Sequence, residues 1–152
     1  MMKDIFTQIY QNKILITTLS SWIIAQTIKV LIGVIMERKF DFRWFVGTGG
    51  MPSSHTAGAS CLATAIGLHH GFDSVHFALA ASFAIVVMFD AQGVRRATGK
   101  QARILNKIMN DIYWQGKIGE GRLRELVGHT PIEVIGGFAL GVAIAFVAHL
   151  KS

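Results

Sequence analysis

Cysteine, proline and charge are all scarce in this chain. One cysteine, Cys61, in 152 residues excludes a disulfide framework and any CxxC metal or redox pair. It stands inside an apolar run, where it reads as a packing residue. There are two prolines, Pro52 and Pro131. Both suit the first turn of a helix, where a missing N–H costs nothing. Charged residues make up 16% of the chain, against about 25% in a typical soluble protein. With 51% apolar residues and a positive mean hydropathy, that shortage points to an integral membrane protein. Acidic residues are the scarcest of the charged types, nine against fifteen Lys and Arg, for a net charge of +6. The cations lie in loops between apolar spans and no nucleic-acid motif is present. Anionic lipid or a phosphate-bearing substrate therefore explains the charge better than nucleic acid does. No cleavable signal sequence is expected, because Arg and Lys follow the first apolar run where a cleavage site would need small residues.

What is present is apolar and helical in pattern. The length fits one domain over residues 1–152. Four apolar segments run from about Ile14 to Ile35, Thr56 to Leu68, Val75 to Phe89 and Ile132 to Leu150. Crossing a bilayer takes roughly 20 residues, so the first and fourth are long enough and the middle two are short. The middle two are joined by the polar turn His69–Ser74 and read as a helical hairpin. In lipid the backbone must satisfy itself, so all four are expected to be helices. Gly137 and Gly141 stand at GxxxG spacing, which suits close helix packing or a dimer face. Between the third and fourth segments, Ile104, Leu105, Ile108, Met109, Ile112 and Tyr113 recur at helical spacing. They predict an amphipathic helix, lying on the membrane surface or over the active site, or packed on the protein's own core. The expected fold is an all-α membrane bundle of about four membrane helices plus this amphipathic one.

Four spans would place residues 36–52 and 90–131 on one side and both termini on the other. The first side carries most of the basic residues, and the positive-inside rule makes it cytoplasmic. The residues suited to chemistry lie there too. His55, in Gly49-Gly50-Met51-Pro52-Ser53-Ser54-His55-Thr56, stands where a Gly-rich loop enters a helix. Ser53 and Ser54 are each able to cap free amides. A helix start is a ready anion site, and a histidine there can donate a proton near neutral pH. His129 and Glu133 are four apart in Gly128-His129-Thr130-Pro131-Ile132-Glu133. They share a face if the helix already includes His129. A carboxylate beside a histidine fixes its tautomer and raises its basicity. Lys29, inside the first span, either snorkels to the interface or reaches a phosphate in a shared pocket. Asp90-Ala91-Gln92-Gly93-Val94-Arg95-Arg96 closes the third span. Its arginines either flank the span or clamp a phosphate.

These runs resemble the type 2 phosphatidic acid phosphatase superfamily, which includes the vanadium haloperoxidases. More closely they resemble its small, divergent branch of bacterial and plant membrane proteins. The branch features are Gly49–His55, Met88–Arg96 and Glu125–Glu133. Pro52, Ser53 and His55 match the superfamily's Pro-Ser-Gly-His motif, with Ser54 in the glycine position. His129 matches the histidine of the third motif, and Glu133 replaces its aspartate. The Ser-Arg pair of that motif does not align, Arg124 being one residue off. Lys29 fits the first motif's lysine, but the Arg-Pro that should follow is missing; Arg95 or Arg96 would supply the absent guanidinium.

The resemblance implies a metal-independent phosphatase with no cofactor. His129 would form a phosphohistidine, Glu133 would orient it, and His55 would protonate the leaving oxygen. Lys29 and the amides near Ser53 and Ser54 would hold the phosphate, since preorganised positive charge is the main catalytic term in phosphoryl transfer. Arg95, Arg96 and Arg124 join them on their charge and position, not on the family pattern. The expected substrate is a lipid phosphate at the cytoplasmic face of the cell membrane: phosphatidic acid, phosphatidylglycerophosphate or a prenyl diphosphate. The alternative is a non-catalytic membrane protein that keeps the fold and binds an anionic headgroup or a partner, including a second copy of itself. A transporter using Lys29 and Asp90 is a third reading, disfavoured by the few spans.

Overall fold

Four of the helices begin where a short polar side chain caps them. The computed structural model describes residues 2–38, 50–113 and 129–151. Asn12 accepts a hydrogen bond from the Leu15 N–H, Ser53 from Thr56, Ser74 from Phe77 and Thr130 from Glu133. These caps open α2 (Lys13–Glu37), α3 (Ser54–His70), α4 (Val75–Phe89) and α6 (Pro131–Leu150), with a short α1 (Met2–Gln11) ahead of them. A π-helical turn (Asp90–Val94) joins α4 to α5 (Arg95–Tyr113). Among the described residues there is no strand, and the protein is an all-α membrane protein.

The packing is inside-out relative to a water-soluble bundle. The buried face of α2 is Ser21, Ala25, Gln26, Lys29 and Val30. Its large apolar side chains, Ile23, Leu31 and Ile35 among them, are exposed. The same holds for Leu79, Val86 and Phe89 on α4 and for Ile132, Ile135 and Leu150 on α6. Exposed apolar area on this scale needs an apolar solvent. Three helical stretches are long and apolar enough to cross a membrane: Lys13–Glu37, Val75–Gly93 and Pro131–Leu150. At 17 residues α3 is shorter, and most of it is buried.

α3 is the centre of the bundle. On one side Ser21 donates to the Ala57 carbonyl at 3.1 Å and Cys61 packs near the Thr17 carbonyl, so α2 runs antiparallel to α3. On another, Ala59 and Ala63 meet Ala80 and Ala84 of α4, as expected for the hairpin. On the third side α6 lies parallel to α3. A Cβ on Gly137 would strike the Ser53 carbonyl, and one on Gly141 would strike the Ala57 carbonyl and Ser60 Oγ. The GxxxG pair is therefore used inside the chain, bringing two backbones together, which is what small residues do between membrane helices. These directions put both ends of the helical bundle's chain, the start of α2 and the close of α6, at one end. The starts of α3 and α6 and the π-helical turn lie at the other.

Two elements differ from the sequence expectation. α1 precedes the first apolar segment, with Ile5, Phe6, Ile9 and Tyr10 exposed; at ten residues it is too short to produce an apolar run. Pro52 lies outside α3, because the helix is capped one residue later by Ser53 and begins at Ser54. Pro131 does occupy the first turn of α6.

Candidate functional site

Thr130 caps α6 and builds the site as it does so. Its side chain accepts from the Glu133 N–H, and Glu133 folds back so that Oε2 accepts from the Thr130 N–H at 3.2 Å. This reciprocal capping box satisfies two amides that a helix start leaves unpaired. The same Oε2 lies 2.8 Å from His129 Nδ1. His129 stands two residues before the helix, so the pair meets through the fold-back of the cap and not through a shared helical face. An ionised carboxylate can only accept, so Nδ1 carries the proton in this contact. In the neutral ring Nε2 then keeps the lone pair, the tautomer a nucleophile or base needs.

Two backbone bonds fix the pair in the bundle. The His129 N–H donates to the Ala91 carbonyl at 3.1 Å, tying the residue to the π-helical turn. The Ser53 N–H donates to the Glu133 carbonyl at 3.0 Å, tying the start of α3 to the first turn of α6. Two helix N-termini, each with partial positive charge, are thereby held side by side. His129 is 2% exposed and the Glu133 side chain 19%. Ser53 and Ser54 are buried; Ser53 Oγ also accepts from the Thr56 hydroxyl at 3.0 Å.

Lys29 comes to this end from α2 and is 8% exposed. Its stem runs beneath Gly50, where an added Cβ would sit 3.1 Å from Lys29 Cγ. Gly50 has φ +87, a backbone conformation that favours glycine. Glu133 is close enough for its charge to act on Lys29. Of the candidates read from the sequence, the structure gathers Lys29, Ser53, Ser54, His129 and Glu133.

His55 lies at the same end but is exposed. The strip of α3 against α6 is Ser53, Thr56, Ala57 and Ser60. At about 100° per residue His55 falls roughly 160° from Ser53, off that strip. The side chains of Arg95 and Arg96, and all of Arg124, lie outside the described residues; the backbone places Arg95 and Arg96 at the start of α5, next to the π-helical turn. Among the described residues no group of three or more His, Cys, Asp or Glu converges to hold a metal ion. The other histidines pair at the far end, His69 with His149 and His70 with His76, ring centroids 5.3 Å apart in both.

Three contributors carry no mark in the candidate set: Thr130, Thr56 and the Ala91 carbonyl. Thr130 had a signal, since Thr-x-x-Glu before an apolar run is a capping-box pattern. A backbone carbonyl has none, although a π-helical turn is a common companion of functional sites.

Comparison with known proteins gives the family. A family model described as the divergent PAP2 family matches residues 10–144. The uncharacterized membrane protein YuiD of Bacillus subtilis (strain 168) is 41% identical over 151 residues, covering 92% of this chain and 96% of the relative. No solved structure matches. The match spans the α2 lysine, the α3 start, the π-helical turn and the His129–Glu133 pair: the chain belongs to the divergent PAP2 family of membrane proteins.

Proposed function

We propose that this protein hydrolyses a lipid phosphate at the end of the bundle where α3 and α6 begin. The observation that carries the reading is the His129 Nδ1–Glu133 Oε2 contact of 2.8 Å, set beside two helix N-termini and Lys29. In the first step Nε2 of His129 attacks phosphorus, and the P–O bond to the leaving oxygen breaks, that of the lipid alcohol in a monoester or of the lipid monophosphate in a diphosphate. The leaving oxygen takes a proton from His55 or from water reaching this end. Water then attacks the phosphohistidine, freeing phosphate and restoring His129. Glu133 stabilises the positive charge that the imidazole acquires in both steps. Lys29 and the helix starts hold the phosphate oxygens, with Arg95, Arg96 and Arg124 as further cations. The resemblance favours phosphatidic acid, phosphatidylglycerophosphate or a prenyl diphosphate, and the basic loops favour the cytoplasmic face.

One observation favours a second reading. His129 is 2% exposed and tied down at both Nδ1 and its backbone N–H, as a structural residue would be. On that reading the chain keeps the fold and binds an anionic headgroup without turnover.

Phosphate release from these lipids in proteoliposomes, with trapping of acid-labile labelled phosphate on the protein, separates the two. Wild type is expected to release phosphate and carry the label, and His129→Ala to do neither while still binding vanadate. Lys29→Met should weaken vanadate binding roughly 10- to 150-fold, the worth of a lost charge-assisted contact. Vanadate binding without phosphate release in the wild type would establish the second reading.

A further inference from the structure

α5 presents three faces, and one of them is left exposed among the described residues. Gly99, Ala102 and Asn106 are buried and make the face turned to the protein. About a quarter-turn round lie Lys100, Arg103 and Lys107, all exposed. On the remaining side Ile104, Leu105 and Ile108 are 60%, 47% and 47% exposed. A helix packed wholly on its own core would bury those three, and a solvent-facing one would not carry them.

The apolar face does not begin on α5. Ile85, Val86 and Phe89 are exposed on α4, which with the π-helical turn is long and apolar enough to cross a membrane. With Asp90, Gly93 and Ala97 they line one open groove of about 790 Å³ across the π-helical turn. Apolar surface thus continues from a membrane-crossing helix, through the turn, onto α5. The basic strip runs beside it.

We infer that α5 is an interfacial helix which lies in the headgroup region of the leaflet nearest His129, with Ile104, Leu105 and Ile108 in the acyl layer and Lys100, Arg103 and Lys107 on anionic headgroups. Continuity with a lipid-facing span selects lipid as the occupant of the apolar face. The flanking cations select anionic lipid, because basic residues beside a buried apolar strip add electrostatic attraction to an anionic surface. This interaction stands apart from the proposed phosphatase chemistry and needs no turnover.

The test uses the full chain with Cys61→Ala, carrying one cysteine at position 108 or 103 labelled with an environment-sensitive dye. It is reconstituted in phosphatidylcholine vesicles, with or without an equal amount of phosphatidylglycerol. The dye at 108 should emit in the blue and be quenched by lipids spin-labelled near the headgroup. The dye at 103 should remain open to an aqueous quencher. Spin-labelled phosphatidylglycerol should quench the 108 dye more than spin-labelled phosphatidylcholine does. Neutralising the strip with Lys100→Gln, Arg103→Gln and Lys107→Gln should bring the two lipids towards parity, roughly fivefold per residue at low salt. A dye at 108 that stays aqueous overturns the inference. So does one that is shielded yet untouched by lipid quenchers, the result expected if a second copy covers the face. Equal quenching by the two lipids in the unneutralised chain removes the anionic preference.

Discussion

Glu133 Oε2 accepts from Thr130 N–H and faces His129 Nδ1 together, so substitutions there can separate architecture from chemistry. Glu133→Gln keeps an acceptor for the cap and removes the charge. Its thermal unfolding in detergent should stay close to wild type, while phosphate release falls roughly 10²- to 10⁴-fold. Glu133→Ala loses the cap as well and should cost a further 0.3–1.5 kcal/mol or so of stability. If Gln leaves phosphate release untouched and only Ala destabilises, Glu133 is a cap and nothing more. The His129–Glu133 spacing was visible in the sequence, but the reason the two meet was not. Position four along a helix implies a shared face, whereas here the carboxylate turns back over the helix start. Lys29 was equally visible as a charge in an apolar run. Its contact with Gly50 was not, because nothing local ties residues 29 and 50.

Among the helices, the α3–α6 pair sets the site, and two glycines set the pair. Gly141→Ala would push a methyl group into the Ala57 carbonyl and Ser60 Oγ. The backbones must then separate, with an overpacking cost of about 1–3 kcal/mol. Unfolding in detergent should shift by that amount, and vanadate binding should weaken with it, because the Ser53–Glu133 bond spans the same contact. Unchanged unfolding would mean that the helices part freely and do not register the site. Glycine spacing reports close approach without naming the partner. The same sequence suits a dimer, and only the positions of Ser53 and Ala57 direct it to α3. The four apolar segments correspond to α2, α3, α4 and α6, since continuous apolar runs are the strongest signal lipid imposes. α1 and the π-helical turn were not legible. The first is a single short amphipathic stretch, and the second depends on which carbonyl accepts which amide.

For the whole molecule, helix directions put the α2 start and the α6 close at one end and the site at the other. By the positive-inside rule, the basic residues carried by the loops of the site end make the cytoplasm its proposed side. In the Cys61→Ala background, a cysteine at Lys151 should react with an impermeant reagent in intact cells, and one at Lys100 only after lysis. The reverse pattern would turn the molecule over and draw substrate from the outer leaflet.

α3 cannot lengthen: Ser53 closes it at one end and Gly71, with φ 89, at the other. Its 17 residues span about 26 Å at 1.5 Å per residue, a few Å less than the roughly 30 Å of a bilayer's hydrocarbon core. The 25 residues of α2 and 20 of α6 around it are not short in this way. Beside these two α3 is the shorter helix, so a lipid phosphate taken by the proposed site would sink below the phosphate plane to reach Ser53. Hydrophobic mismatch makes that descent depend on the host lipid. In phosphatidylcholines of graded chain length, phosphate release at a fixed substrate fraction should be fastest in the thinner bilayers and decline as they thicken. A rate indifferent to thickness would place the reacting phosphate at the rim and away from the helix starts.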